Sequence, residues 1–144
     1  MNYEKYLFDT DVITNILKKQ PSQNLISCLN KLKYEQQYIS TITISEIVYG
    51  ALKSIRPEYH LNNLNKILLP TVNILNFDSA SAFIYGEIRV KLEKKGTLIS
   101  HTDMQIASIA MSNNITLITG NIKHFERIEN LKIDNWLKDH IKKI

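Results

Sequence analysis

Residues 6–14 read YLFDTDVIT, and this stretch decides the fold. Three β-prone residues, Tyr6 to Phe8, run directly into a pair of carboxylates, Asp9 and Asp11. In an open parallel α/β sheet, ligands bind beyond the carboxyl ends of the strands. We therefore predict that 6–8 form a buried first strand, and that Asp9 lies at the edge of the sheet where a functional site belongs.

Beyond this stretch, short β-prone runs alternate with segments whose apolar residues have helical spacing. The predicted strands are 6–8, 37–41, 72–76, 115–119 and a short edge strand near 132–134, and the predicted helices are 12–19, 24–34, 43–54, 58–69, 78–95 and 102–113. Thr10 or Asp11 is available as the N-cap of the first helix. This alternation predicts an α/β protein with a mostly parallel sheet covered on both faces.

The length and composition predict one globular domain spanning residues 1–144. The chain has 44% hydrophobic and 22% charged residues, which is typical of a folded domain. No repeat or linker interrupts it, and the basic tail after about residue 136 is expected to be the least ordered part. No apolar run approaches the roughly 20 residues that a membrane-spanning helix needs, so we expect a cytoplasmic protein without a membrane partner.

The charge, cysteine and glycine content of the chain indicates which partners and cofactors it favours. The net charge of +4 and the pI near 9.1 suit a polyanionic partner. The lone Cys28 has no partner for an internal disulfide and no neighbouring cysteine at metal-ligand spacing. The four glycines form neither a dinucleotide-binding motif nor a P-loop.

Three acids are predicted to meet at one edge of the sheet. Asp9 follows the first strand, Glu46 lies in the first turn of the helix after the second strand, and Asp103 lies near the start of the helix that leads into the fourth. Two carboxylates 4 Å apart repel each other by roughly 1 kcal/mol in water and about 4 kcal/mol at an effective dielectric of 20, so a cation should lie between them. All-oxygen ligands favour Mg²⁺ or Mn²⁺. In a basic chain this combination favours phosphodiester hydrolysis.

Helix capping is the alternative interpretation of the same acids. Thr43 to Glu46 reads T-x-x-E and Ser100 to Asp103 reads S-x-x-D, and both match a capping box. Asp11 could likewise serve only as an N-cap. Capping does not require the acids to converge, whereas a metal site does, so their shared edge favours the metal site.

Four motifs together carry a resemblance to a known family. FDTDVI, TISEIVYGA, HTDMQIASIA and LITGNIKHFERIENLKIDNW occur in this order along nearly the whole chain. They resemble the PIN-domain ribonucleases, specifically the VapC toxins of type II toxin-antitoxin pairs. The resemblance implies a three-layer α/β/α sandwich and a divalent-metal endoribonuclease that acts on RNA, with tRNA as one candidate substrate. It also implies a homodimer that a VapB antitoxin holds inactive.

The resemblance assigns roles to particular positions. Asp9, Glu46 and Asp103 match the three acids of the family's metal site, which makes them the expected catalytic residues and ligands of Mg²⁺ or Mn²⁺. Asp11 occupies a position at which members of the family have a polar residue, commonly Asn. It is therefore either a fourth carboxylate or a polar substitute.

The segment after the fourth strand departs from the family pattern. Thr119 and Asn121 match a T-x-N step, but a fourth acid is often present at the position of Asn121 or just before Phe125, where this chain has His124. The identity of a fourth ligand stays open. His124 could contact a substrate phosphate or have a purely structural role.

Two further interpretations remain. The chain could be a catalytically lapsed PIN-like module that binds RNA or protein without cutting. A phosphoacceptor receiver domain also uses acids at strand ends, but it would leave the other matched motifs unexplained. In the matched helix, Gly50 is expected to permit close packing, either in the core or at a subunit contact.

Overall fold

The computed structural model describes residues 3–138, which form one sheet with helices on both faces. The strands are β1 (Tyr6–Phe8), β2 (Gln37–Ser40), β3 (Asn73–Leu75), β4 (Thr116–Ile118) and β5 (Ile133–Asp134). The α-helices are α1 (Thr10–Ile16), α2 (Gln23–Leu29), α3 (Thr41–Lys53), α4 (Pro57–Asn62), α5 (Ser79–Lys94), α6 (His101–Ser112) and α7 (Ile122–Phe125). This is the α/β/α sandwich that the resemblance implied.

The strand order is β3-β2-β1-β4-β5, and every neighbouring pair is parallel. The prediction of a mostly parallel sheet is therefore confirmed. β1 lies at the centre, where Leu7 pairs with Tyr38 of β2 and Leu117 of β4. Because the strands are parallel, the carboxyl ends of β2, β1 and β4 lie side by side. Residues that follow these three strands are neighbours in space although they are far apart in sequence.

The alternation of side chains along β1 divides the core into two halves. Leu7 faces the half built with α5 and α6, in which Leu92 and Ile106 are buried. Phe8 faces the opposite half, where it packs with Ile13 of α1. The sheet is thus covered on both faces, and β1 is fixed in position by close packing on each side.

The predicted boundaries are wrong at several helices. The first helix begins at Thr10 instead of residue 12, because the side chain of Asp9 accepts a hydrogen bond from the Thr10 N–H and caps it. Neither Thr10 nor Asp11 is the N-cap. The second helix ends at Leu29, although Leu32 still packs into the core from the turn that follows. In place of the predicted helix 58–69, the structure has the short helix α4. It continues as a π-helix at Asn63–Leu68 and a 3₁₀ turn at Leu69–Thr71.

The start of α3 also differs from the prediction. Ser40 is its N-cap and accepts a hydrogen bond from the Thr43 N–H, so the helix begins at Thr41. Glu46 is therefore in the second turn, and the predicted capping box from Thr43 to Glu46 does not form. Gly50 does not permit close packing within the described chain, because a Cβ there would have no neighbour within 4 Å.

The chain after β5 returns to the sheet. Trp136 is buried, with 9% of its surface exposed, and its Nε1 donates a hydrogen bond to Asp134 Oδ2 (3.0 Å). Residues 139–144, most of the tail expected to be loosely ordered, lie outside the described residues. In residues 3–138, no helix has the length and apolar character that crossing a membrane requires.

Candidate active site

An open cleft lies at the carboxyl ends of β1 and β4. Four acids line it, namely Asp9, Asp11, Glu46 and Asp103. The other described lining residues are Thr10, Thr14, Asn15, Lys18, Asn121 and Leu137. The fold therefore brings together the three acids expected to form the site, and Asp11 and Asn121 with them. Lys18 is the sole Lys or Arg among these lining residues, so most of the negative charge in the cleft has no cationic partner.

Asp9 is the most deeply buried of these acids, with 5% of its surface exposed. Its Oδ1 accepts a hydrogen bond from the Thr10 N–H (2.8 Å), and its Oδ2 accepts one from Thr119 Oγ1 (2.7 Å). Burial raises the pKa of Asp9 from 3.8 to about 7, and the charges of Asp11 and Asp103 add to the increase. The hydrogen bonds from Thr119 and Thr10 oppose it. Near neutral pH, the Asp9 carboxyl therefore readily binds a proton unless a cation compensates for its charge.

Glu46 is held by a residue whose role the sequence did not reveal. Thr10 Oγ1 donates a 2.6 Å hydrogen bond to Glu46 Oε1 and lies 3.2 Å from Thr43 Oγ1. Thr10 stands between Asp9 and Asp11 in the sequence, which suggested only a helix cap. Its side chain instead connects α1 to α3 and fixes the direction of the Glu46 carboxylate.

Asp11 anchors the turn that follows β4. Its Oδ2 accepts a hydrogen bond from the Gly120 N–H (2.9 Å), which connects the first turn of α1 to the segment carrying Thr119 and Asn121. Although Asp11 is open to solvent, partial loss of water around its carboxyl raises its pKa, and the Gly120 N–H lowers it in part.

The same contact requires glycine at position 120. A Cβ on Gly120 would lie 2.7 Å from Asp11 Oδ2 and 2.8 Å from Leu137 Cδ1. We expect Gly120→Ala to lower the free energy of unfolding by about 1 to 3 kcal/mol, because the Asp11 and Leu137 side chains must shift and the Asp11–Gly120 hydrogen bond is disturbed. The nuclease activity that the resemblance implies should fall with it. Urea unfolding and an RNA cleavage assay measure both effects.

Gly86→Ala is the matched control, because a Cβ at Gly86 in α5 would have no neighbour within 4 Å. Alanine favours a helix interior by about 1 kcal/mol over glycine, so this variant should be at least as stable as the wild type. Equal stability of Gly120→Ala and the wild type would show that the turn does not depend on this close approach.

Asp103 lies in the first turn of α6, where its N–H donates a hydrogen bond to the N-cap Ser100 (3.2 Å to Oγ). Its Oδ2 is 3.5 Å from His124 Nδ1, and the same nitrogen is 2.8 Å from Asn121 Nδ2. His124 and Asn121 therefore form a pair beside Asp103. The imidazole is 45% exposed, but His124 is not among the described residues that line the cleft.

The donor set of the cleft suits a divalent cation. It offers carboxylate, hydroxyl and amide oxygens, which are the ligands that Mg²⁺ and Mn²⁺ prefer. The raised pKa of Asp9 shows that negative charge is unfavourable there without a counter-ion. As placed in residues 3–138, no three His, Cys, Asp or Glu side chains stand close enough together to surround an ion. Because like charges repel, the carboxylates would have to move together when an ion neutralises them.

A parallel α/β/α sandwich with acids at the carboxyl ends of its central strands is the arrangement that the resemblance to the PIN domain implied. The family model described as "PIN domain" matches residues 6–131 of the chain. The chain therefore belongs to the PIN domain family, as the four sequence motifs indicated.

Within that family the chain belongs to the VapC ribonucleases. It is 38% identical to Ribonuclease VapC2 of Rickettsia felis over 133 residues, which cover 92% of this chain and 98% of the relative. It is 33% identical to the tRNA(fMet)-specific endonuclease VapC of Salmonella typhimurium over 132 residues, with the same coverage of each chain (92% and 98%).

Solved structures agree with this placement. The VapBC2 structure from Rickettsia felis, bound to a DNA fragment from its promoter, matches with a TM-score of 0.84 and 37% identity over 91% of this chain and 98% of the other. The DNA-bound VapBC structure from Salmonella typhimurium matches with a TM-score of 0.85 and 32% identity over 93% and 99%.

Proposed function

We propose that the chain is the toxin of a VapBC-type pair and acts as a Mg²⁺-dependent endoribonuclease that hydrolyses phosphodiester bonds in RNA. The observation that carries this proposal is the gathering of Asp9, Glu46 and Asp103 in one cleft of a chain that belongs to the VapC ribonucleases. A tRNA is the first substrate to test, because one relative is named as a tRNA(fMet)-specific endonuclease. A VapB-type antitoxin is the expected protein partner, since similar structures are VapBC complexes.

In this mechanism Asp9, Glu46 and Asp103 would hold the metal. PIN-domain nucleases generally depend on a divalent metal, and Mg²⁺ or Mn²⁺ fits the oxygen donors of this cleft. A divalent ion held there supplies a Lewis acid that activates water and offsets negative charge on phosphate oxygens.

The remaining residues orient these carboxylates. Thr119 orients Asp9 and Thr10 orients Glu46 through short hydrogen bonds, which would keep both carboxylates directed toward the cleft as they approach an ion. Asp11 holds the turn after β4 against α1. His124 lies beside Asp103 and can donate a hydrogen bond to a substrate phosphate from its exposed ring.

Metal-dependent cleavage tests the proposal. The purified, antitoxin-free protein should produce discrete fragments from total cellular RNA with Mg²⁺ or Mn²⁺, and none with EDTA. Re-adding Mg²⁺ after EDTA should restore the fragments, which controls for damage by the chelator. If a correctly folded protein shows no cleavage with either metal, the catalytically lapsed module becomes the better description. The homodimer implied by the resemblance stays a prediction, which light scattering of the same sample would test.

A further inference from the structure

A groove adjoins the acid cleft and continues it along the surface between α1, α3 and α4. Thr10, Thr14, Lys18 and Glu46 line both the cleft and the groove, so the two form one continuous channel. An RNA strand that places its phosphate among the acids must continue onto the neighbouring surface. This groove is directly connected to the acids.

The groove combines an apolar floor with a basic rim. Its floor includes Leu17, Ile47 and Ala51, and its rim carries Lys18, Lys19 and Arg56. Among the described residues that line it, Glu46 alone is acidic, and it lies at the junction with the cleft. The acid cleft repels a polyanion, whereas this rim attracts one, so the charge of the groove complements phosphate groups.

Gly50 leaves open space in the groove, and no packing contact within the described chain explains why glycine is present there. It lies inside α3 and lines the groove, and a Cβ there would have no neighbour within 4 Å. Glycine in a helix interior costs about 1 kcal/mol relative to alanine. No contact within the described chain accounts for this cost. The missing side chain instead allows a flat ligand to approach the backbone of α3.

Two planar side chains are stacked at the far wall of the groove. The Arg56 guanidinium carbon lies 4.0 Å from the centre of the Tyr59 ring, and both side chains are exposed. The ring of His60 lies 5.2 Å from that of Tyr59 in an edge-on arrangement. Aromatic rings and guanidinium planes are the surfaces on which proteins stack unpaired RNA bases.

We propose that this groove binds an unpaired RNA segment next to the phosphate that is cleaved. A base stacks on the Arg56–Tyr59 pair, and the adjoining phosphates contact Lys18 and Lys19. This inference rests on the proposed function, because the acid cleft must be where RNA is cut. The charge of the rim and the direct connection to the catalytic acids favour RNA over a peptide as the occupant.

Binding of a short RNA to an inactive protein tests the groove separately from cleavage. The full chain carrying Asp9→Asn would be titrated, without antitoxin, into a fluorescent unstructured 12-nucleotide RNA at several salt concentrations. Adding Tyr59→Leu should weaken binding about 5- to 100-fold, since one stacked base is lost. Adding Lys18→Gln should reduce the slope of log affinity against log salt by about 0.7, since one phosphate contact is lost.

Gly50→Leu tests the groove without changing charge or removing an aromatic ring. Leucine favours a helix over glycine, and its Cβ would have no neighbour within 4 Å, so the variant should be about as stable as its parent while RNA affinity falls about fivefold or more. Gly86→Leu in α5 is the matched control, because it also fills open space but lies away from the groove. Lys94→Gln, on the exposed side of α5, is the control for charge.

The outcomes separate this inference from the proposed function. If the wild type cleaves RNA, but Gly50→Leu and Tyr59→Leu bind RNA normally in the Asp9→Asn protein and cleave it normally when Asp9 is kept, the groove assignment is wrong and the nuclease assignment stands. If those variants lose RNA binding but the wild type never cleaves, RNA binding stands without the nuclease. Unchanged RNA affinity together with weaker antitoxin binding would assign the groove to the protein partner and overturn the proposal.

Discussion

Asp9→Asn should nearly abolish RNA cleavage and should stabilise the metal-free protein at pH 8. Asparagine keeps the N-cap of α1, because its side-chain oxygen can accept the Thr10 N–H as the carboxylate does. It removes the charge that a metal ion would need. Losing a hydrogen-bond partner of a metal ligand typically costs 10- to 100-fold in activity, and losing the ligand itself should cost more than about 100-fold. Initial rates of RNA cleavage measure this loss.

The gain in stability follows from the raised pKa of Asp9. In the unfolded chain this carboxyl releases its proton near its ordinary pKa of 3.8, whereas in the folded chain it does so at about 7. Between these values the folded state binds more protons, so its stability falls as pH rises. At about 1.4 kcal/mol per pH unit, the wild type should lose about 2 to 3 kcal/mol between pH 5 and pH 8 in EDTA. Asp9→Asn lacks this loss.

Asp78→Asn is the control for this comparison. Asp78 caps α5 as Asp9 caps α1, with its side chain accepting a hydrogen bond from the Ser81 N–H, but it lies outside the cleft. Its replacement should leave cleavage unchanged. Urea unfolding at pH 5 and pH 8, with EDTA and then with Mg²⁺, completes the test. If Asp9→Asn cleaves RNA as fast as the wild type, Asp9 does not belong to the site. If the stability of Asp9→Asn depends on pH as that of the wild type does, the raised pKa of Asp9 is contradicted.

Thr119→Val should reduce cleavage about 10- to 100-fold and lower the free energy of unfolding by about 1 to 3 kcal/mol. Thr119 is fully buried, and its hydroxyl donates to Asp9 Oδ2 (2.7 Å) while accepting from the Asn121 N–H (3.0 Å). Valine has nearly the same shape but no hydroxyl. The carboxylate then loses its orienting donor, and the Asn121 N–H loses its acceptor.

Thr116→Val is the matched control, at the start of β4, the strand that Thr119 follows. Its hydroxyl makes a longer contact, 3.3 Å to Glu4 Oε1, at the opposite end of β4 from the cleft. It should retain wild-type activity and lose less stability than Thr119→Val. The decisive measurement is the dependence of the cleavage rate on Mg²⁺ concentration. A Thr119→Val protein that needs no more Mg²⁺ than the wild type and cleaves as fast would show that this hydroxyl does not orient the ligand.

The sequence alone determined the class of fold and the positions of the acids. Short β-prone runs and the helical spacing of apolar residues are local properties, so the alternation of elements could be read directly. β1 was predicted with the boundaries it has, because Tyr6 to Phe8 is a short β-prone run that ends in an acid. Motifs in register along the chain then indicated the family. Helix starts were less accurate, because the N-caps are Asp9, directly after β1, and Ser40, the last residue of β2.

Only the tertiary structure decided how the acids are held and what surrounds them. Asp11 binds the Gly120 N–H across 109 residues of sequence, and Thr10 binds Glu46 across 36. Such contacts depend on which strands are neighbours and on their register, and no local pattern records either. The raised pKa of Asp9 likewise requires burial beside other carboxylates. The groove exists because α1, α3 and α4 meet around the open space at Gly50, which the sequence shows only as a glycine inside a helix.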